Sequence, residues 1–320
     1  MAVQKRKLGK TDIEITPVGL GCWQFYGSGF GRLFWKSPPQ QEVNNIIVAA
    51  LDGGINWFDT AEAYGSGKSE RALSTGLTNA GMKNEDVVIA TKWQPFFRTA
   101  KSISRTVGDR QKFLSPFGID LHQVHFPSSF SSIEAQMDAM AALVREGKIR
   151  SVGISNFSTE QMRQAQAALE KHGLPLASNQ VRFNLLDRKM EKQEVLSTAR
   201  ELGITIIDYS PLAQGLLTGK FHKNPALIRH LPFYRKRATE RMLEKSRPLI
   251  NLLEEISSSY NATPSEVALS WLINYAGDTL VAIPGASKAD HIAQNMNAMN
   301  LKLTDDKMKK LDEMSREIVW

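Results

Sequence analysis

The sequence predicts a closed (β/α)8 barrel, opened by a short β-hairpin and carrying a long insert between its seventh and eighth strands. Three observations lead there. Short apolar, β-branched runs recur along the chain. Amphipathic helical segments with start and stop signals lie between them. The two alternate at intervals of roughly 30 residues, the spacing of strand-helix units on a parallel sheet.

Each element has its own warrant. Residues 5–8 and 13–16 flank Gly9-Lys10-Thr11-Asp12 and read as a hairpin placed to plug the N-terminal end of the barrel. The eight strand runs are 18–21, 55–60, 87–92, 121–126, 152–156, 177–183, 204–210 and 280–284. Each is bounded by Gly, Pro, Asn or Ser, and continuous apolar runs of this kind suit strands buried on both faces. The first helix is announced by Ser37-Pro38-Pro39-Gln40, carries Val43, Ile46, Ile47, Ala50 and Leu51 at helical spacing, and stops at Gly53-Gly54. Ser131-x-x-Glu134, Ser158-x-x-Gln161 and Thr263-Pro264-x-Glu266 repeat the capping signature. The last helix is expected to start at Ser287-Lys288-Ala289-Asp290. Residues 216–262 form the insert, and no linker divides the chain, so residues 1–320 read as a single domain. A doubly wound open sheet is the alternative, but Gly19-Leu20-Gly21-Cys22-Trp23-Gln24 lacks the third glycine of its dinucleotide turn. In a TIM barrel of this kind the chemistry sits at the C-terminal ends of the strands.

Composition narrows the class. In 320 residues, 42% are hydrophobic and 23% charged, which excludes collagen-like, disordered and coiled-coil proteins. Lys and Arg number 40 against 33 Asp and Glu, a net +7 spread along the chain, so a nucleic-acid partner is not expected. The densest basic stretch, residues 222–241, reads as a solvated face or as a field for a small acidic or phosphorylated ligand. The lone Cys22 excludes an intramolecular disulfide. The opening MAVQKRKLGKTD lacks the apolar segment of a signal peptide, and no run reaches the ~20 apolar residues of a membrane span. A cytoplasmic location without a membrane partner is therefore expected. No Walker A loop, His-Glu-x-x-His or Cys-x-x-Cys occurs, and no metal is expected.

The strand ends carry Cys22, Asp59, Lys92, His125, Ser155 with Asn156, Gln180, Tyr209 with Ser210, and Ser287, and Tyr64 lies five residues past Asp59. Taken singly, Asp59 reads as a turn cap, Lys92 as a snorkelling lysine, His125 as a core histidine and Tyr64 as packing. His122 falls on the opposite strand face from His125, so the two do not make a metal pair. Taken together, a phenol, an ammonium, a carboxylate and an imidazole form a device for protonating an oxygen as it becomes an alkoxide. The ammonium favours the phenolate, and the carboxylate holds the ammonium charged.

The stretch Phe58-Asp59-Thr60-Ala61-Glu62-Ala63-Tyr64-Gly65, then Ser69-Glu70, Ala90-Thr91-Lys92 and Ile119 through Pro127, resembles the signature segments of the aldo-keto reductase superfamily. So do Gly153-Ile154-Ser155-Asn156-Phe157, Gln180, Ser210-Pro211-Leu212 and Ile283-Pro284-Gly285-Ala286, in order along the chain. The resemblance implies a catalytic tetrad: Tyr64 as acid in reduction and base in oxidation, Lys92 lowering its pKa, Asp59 pairing with Lys92, and His125 orienting the carbonyl. It implies a nicotinamide cofactor, NADP(H) in preference with NAD(H) as the second option. Cys22 would lie beside the nicotinamide, with Gly21, Trp23 and Asp59 also binding the cofactor, Tyr209 would stack on the ring, and Ser155, Asn156 and Gln180 would bind its carboxamide. Ser210, Leu212, Gln214, Gly215 and Leu217 would line the pyrophosphate. Gly285, Ser287, Lys288, His291 and Gln294 would surround the adenosine phosphate at a helix N-terminus, with Asn295 on the adenine.

Some positions depart from the family pattern. His291 stands where Arg or Gln is frequent, Gln294 where Glu is common, Ser287 where Lys or Arg is frequent, and Phe126 where Trp is common. Trp23, Tyr64, Trp93, His125 and Phe126 are expected to line an apolar pocket for a small-molecule carbonyl, with Phe25, Phe96, Phe97 and Phe157 nearby and residues 25–36 and 221–241 as walls or lid. The functional reading is NADPH-dependent reduction of aldehydes or ketones. The alternatives are an NAD-dependent alcohol or sugar dehydrogenase, a Schiff-base aldolase on Lys92, and a non-enzymatic nicotinamide-nucleotide sensor.

Overall fold

The computed structural model describes residues 3–26 and 38–319. An antiparallel ribbon, β1 (Arg6–Lys7) and β2 (Glu14–Ile15), precedes eight parallel strands. These are β3 (Leu20–Gly21), β4 (Trp57–Asp59), β5 (Val88–Trp93), β6 (Leu121–Val124), β7 (Ser151–Ser155), β8 (Leu176–Arg182), β9 (Thr205–Tyr209) and β10 (Leu280–Ile283). Each pairs with the next in chain order. The ends of the sheet meet: Gly19 N donates to Ala282 O at 2.8 Å, Gly21 N to Pro284 O at 3.2 Å, and Ala282 N to Pro17 O at 3.0 Å. Closure removes the open edges that a sheet of this size would otherwise expose. At Gly21 a Cβ would stand 2.8 Å from Ile283 O, so the seam admits glycine alone.

The outer helices are α1 (Gln40–Asp52), α2 (Lys68–Asn79), α3 (Lys101–Leu114), α4 (Ile133–Arg145), α5 (Thr159–Glu170), α6 (Lys189–Lys192), α7 (Val195–Leu202), α10 (Pro264–Tyr275) and α11 (Ala289–Asn300). The insert after β9 holds α8 (Lys220–Lys223) and the long α9 (Phe233–Ser259), and α12 (Asp305–Val319) packs against α9 and α10. Capping boxes at Ser158/Gln161 and Thr263/Glu266 form as expected. Three helix starts differ from expectation. α4 is capped by Ser132, whose hydroxyl accepts from Ala135 N, while Ser131 Oγ accepts from Ala100 N instead. The residue before α1 is Pro39, and Ser37 lies outside the described residues. α11 begins with Lys288 in the cap position, so Ser287 is not its cap.

The hairpin stoppers the barrel as predicted. Leu8, Ile13 and Ile15 are buried against Trp57, Ala90, Leu121, Ala177, Ile207 and Val281 at the N-terminal end. Gly9 N donates to Thr205 Oγ1 at 2.7 Å, and Arg6 donates to Leu280 O at 2.6 Å. Gly9 has φ +57°, and a Cβ there would stand 2.5 Å from Ala177 O. The polar side chains are thereby gathered at the other end. Among the described residues, no helix is long and apolar enough to cross a membrane.

Candidate active site

Asp59 ends β4, Lys92 lies near the end of β5, and His125 follows β6, so three neighbouring strands deliver three ionisable groups to the barrel mouth. Tyr64 arrives from the loop after β4. That loop is tied down by Thr60 N to Ala90 O (2.8 Å), Glu62 N to Lys92 O (3.1 Å) and Tyr64 N to Ala61 O (3.0 Å). Behind it, Thr60 Oγ1 donates to Ser69 Oγ and Ser69 Oγ to Cys22 O, at 2.8 and 2.7 Å.

The four side chains converge. Lys92 is wholly buried, and its Nζ lies 2.5 Å from Asp59 Oδ1, 2.9 Å from Thr60 O and 3.5 Å from Tyr64 OH. Its three N–H donors therefore have three acceptors, which a buried ammonium requires. The Tyr64 ring packs against the Trp23 ring, centroids 4.9 Å apart, and against the His125 ring at 5.8 Å. Burial works against the Lys92 charge, but Asp59 and Tyr64 outweigh it and lift the ammonium above its ordinary pKa. Burial also pushes the Tyr64 phenol up, and Lys92 opposes this without overcoming it. The expectation of a depressed phenol pKa is thus not met in the protein alone; the phenol is held protonated, the form an acid uses. Burial, with Lys92 adding to it, pushes His125 down to about 3, so its imidazole is neutral at ordinary pH. Cys22 is buried, and burial with Asp59 nearby drives its thiol well up, which makes it packing and not a nucleophile.

Beside the tetrad, Ser155 Oγ donates to Gln180 O (2.9 Å), Asn156 Nδ2 to Ser155 Oγ (3.0 Å), and Tyr209 OH to Asn156 Oδ1 (2.9 Å). Asn156 and Ser210, directly after β7 and β9, both have left-handed backbone, φ +62° and +61°. The turn after β9 is left-handed again at Ala213, Gln214 and Gly215, just past Leu212. Leu217 is the exception in this group: its side chain is sunk in the core and presents no surface there. Ser287, Lys288 and His291 are exposed at the start of α11, with Gln294 half-buried; Asn295 is buried, and its Nδ2 has no partner among the described residues. Gly285 closes the seam by bridging to Gly21.

Trp93 does not line the mouth. Lys92 faces into the barrel, so the next side chain faces out, and the buried Trp93 donates from Nε1 to Ser102 Oγ on α3 at 3.0 Å. Phe25 and Phe157 likewise belong to the outer core. Trp23, Phe96 and Phe126 remain at the opening, Phe97 and Phe130 project beyond it, and the expected wall at residues 25–36 falls mostly outside the described residues.

Two residues escaped sequence reasoning. Gln123, on the inward face of β6, donates to Asp59 Oδ2 at 3.1 Å. Lys220 lies over Gly215, where a Cβ would stand 3.1 Å from its Nζ. Burial lowers the Lys220 pKa and Arg235 lowers it further, while Lys220 and Lys288 add to the burial that lowers His291. Lys220, Arg235, Lys288 and His291 are thus one electrostatic neighbourhood drawn from three helices. A lysine directly after the Thr218-Gly219 turn was the available signal.

Comparison with known proteins agrees with this arrangement. The model of the Aldo/keto reductase family matches residues 17–316. The chain is 32% identical to a chloroplastic pyridoxal reductase of Arabidopsis thaliana over 330 residues, covering 98% of this chain and 86% of that protein. It is 36% identical over 312 residues to an uncharacterized oxidoreductase of Mycobacterium bovis, covering 95% and 90%. A thermostable aldo-keto reductase, Tm1743, solved with the inhibitor epalrestat, superposes with a TM-score of 0.78 at 28% identity, covering 97% of this chain and 99% of that one. Barrel, mouth and family match together make this chain a member of the aldo/keto reductase family, an oxidoreductase that works with a nicotinamide cofactor.

Proposed function

We propose that the protein reduces aldehydes or ketones to alcohols with NADPH, reversibly, and that Tyr64 provides the proton. The observation that carries this reading is the Lys92 tripod, in which one buried ammonium touches both the Asp59 carboxylate and the Tyr64 phenol at the barrel mouth. The residues present fit the cofactor: the Tyr209 hydroxyl is fixed by Asn156, the left-handed turn through Gln214 and Gly215 has Lys220 over it, and the buried Asn295 Nδ2 lacks a partner among the described residues. When bound, the nicotinamide supplies the hydride, which no side chain can provide.

The chain's own residues do the rest. Neutral His125 and Tyr64 flank the carbonyl oxygen and orient it. Tyr64 OH gives its proton to that oxygen as negative charge develops there, and the phenolate left behind is held by Lys92 Nζ. Asp59 keeps the ammonium in place. In alcohol oxidation the same proton returns to the phenolate. Trp23, Tyr64, His125 and Phe126 form the walls, and Phe126 presents an edge because His125 and Phe96 cover its two faces. The cations Lys220, Arg235 and Lys288, with the His291 imidazole beside them, support NADPH over NADH, since a 2′-phosphate adds charge for them to hold. The pyridoxal reductase among the relatives recommends a flat aromatic aldehyde as a first substrate to try.

The test mixes purified protein with NADPH or NADH and a panel of aldehydes and ketones that includes pyridoxal. Loss of reduced-nicotinamide absorbance with at least one carbonyl, faster with NADPH, is the expected result. Tight NADPH binding with no turnover on any carbonyl would instead make the protein a nucleotide sensor.

A further inference from the structure

A barrel interior is usually filled by layers of branched apolar side chains, each layer drawn from alternate strands. In this barrel one layer is polar. Asp59 of β4, Gln123 of β6 and Gln180 of β8 come from alternate strands, and all three are buried. Both amides reach one atom: Gln123 Nε2 donates to Asp59 Oδ2 at 3.1 Å and Gln180 Nε2 to the same oxygen at 2.9 Å. Gln180 Nε2 also lies 3.4 Å from Gln123 Oε1, which ties the amides to each other. The other carboxylate oxygen, Oδ1, faces Lys92 Nζ.

This geometry fixes more than position. A carboxylate rotates about its last bond, and a single ion pair leaves that rotation free. Two donors, one from the next strand but one and one from the opposite side of the barrel, pin Oδ2, so Oδ1 has one direction to face. The direction of Oδ1 sets Lys92 Nζ, and Nζ sets the partner of Tyr64 OH. Leu121, Gln123 and His125 share the inward face of β6, so the same strand that presents His125 also braces Asp59. An apolar residue at 123 would fill the layer equally well but would leave Oδ2 with the Gln180 donor alone, a loss inside a buried site.

We propose that Gln123 is a positioning residue for proton transfer: it aims the Asp59 carboxylate, and through Asp59 and Lys92 it sets the Tyr64 hydroxyl. The proposal rests on the reading of Tyr64 as proton donor. It separates Gln123 from Gln180, whose other contacts reach the nicotinamide side of the mouth through Ser155.

Two variants test it. Gln123→Met keeps the length of the side chain and cannot donate. Gln123→Glu keeps the shape and donates to Asp59 only while its new carboxyl is protonated; once ionised it faces Asp59 as a like charge. Steady-state reduction kinetics are measured from about pH 5 to about pH 8, with NADPH affinity followed by fluorescence and folding by circular dichroism. For Gln123→Met the expected result is a kcat lowered about tenfold at every pH, with KM and NADPH affinity within about threefold of the parent. For Gln123→Glu it is a kcat close to the parent at the acid end that falls about tenfold or more as pH rises, a titration the parent lacks. Two folded variants that keep the parent's kcat, or that lose it equally at all pH, overturn the positioning role and leave the proposed function standing. A parent that turns over no carbonyl at all retires the proposed function and this role with it.

Discussion

The His125 imidazole lies flat against the ring of Phe126, centroids 4.7 Å apart and planes 10° apart. Phe96 stacks on the far face of Phe126 at 5.2 Å, while His125 Nδ1 is buried without a hydrogen-bond partner among the described residues. Ring contacts with Phe126 and Tyr64 therefore hold the imidazole, with no hydrogen bond at Nδ1 among the described residues. Phe126→Ala removes a contact worth about 1 kcal/mol and lowers kcat/KM by about fivefold, with cofactor affinity unchanged. With His125 down at about 3, the rate profile between about pH 5 and about pH 8 carries no limb from this residue. A limb in that window that vanishes in His125→Gln would contradict the assignment.

Tyr64→Phe retains the ring contacts with Trp23 and His125 and deletes the hydroxyl that meets Lys92. Reduction should fall by about 10²–10⁴-fold while NADPH binding stays within about twofold. Stopped-flow binding and steady-state turnover on the same preparation separate the two. Unchanged turnover would remove Tyr64 as the proton donor.

Asp59→Asn leaves the Lys92 ammonium buried without its counter-charge. Breaking a buried pair from one side costs about 3–5 kcal/mol, whereas replacing both partners by apolar groups costs far less. Urea unfolding should therefore show Asp59→Leu/Lys92→Met to be more stable than Asp59→Asn, although both are inactive. The reverse order would mean that the pair is not desolvated in solution.

Lys288 stands at the cap position of α11 and shares its neighbourhood with Lys220 and His291. Lys288→Ala should weaken NADPH about tenfold and NADH less than about threefold, as titrated by fluorescence quenching. Equal weakening of both would move the 2′-phosphate elsewhere.

Glu70, wholly buried on α2, accepts from Thr91 Oγ1 at 2.7 Å and faces the Arg110 guanidinium, with Nε 3.1 Å away. Burial raises its pKa from 4.5 to about 7, against the pull of Arg110. A carboxyl raised in the folded state contributes stability at low pH and loses it as pH rises through the folded value. Relative to Glu70→Gln, the parent should lose about 3 kcal/mol between about pH 4.5 and about pH 8. Thermal melts of the two proteins across that range give the difference, and a constant offset would refute the shift.

Local chemistry was readable from the sequence, and distant chemistry was not. The boxes at Ser158 and Thr263 close within three residues, so nothing tertiary could displace them. Ser131 and Ser132 are both competent caps, and the choice fell to Ser132 because Ser131 is used by Ala100, 31 residues away. Trp93 was misplaced although the two-residue alternation after Lys92 already pointed it outward. Asp59, Tyr64, Lys92 and His125 were found through a recognisable order of segments. Gln123 carries no such mark: an amide inside an apolar strand looks like tolerated packing until a carboxylate 64 residues away is folded against it.

The hairpin that stoppers the barrel precedes the barrel strands in the chain, yet two of its anchors lie far along it. Gly9 is held by Thr205, 196 positions later, and Arg6 by Leu280, 274 positions later. The hairpin is therefore made before the strands that hold it, and until β9 and β10 exist the floor against which Leu8, Ile13 and Ile15 pack lacks Ile207 and Val281. A nascent chain carries that incomplete floor until β10 (Leu280–Ile283) has emerged.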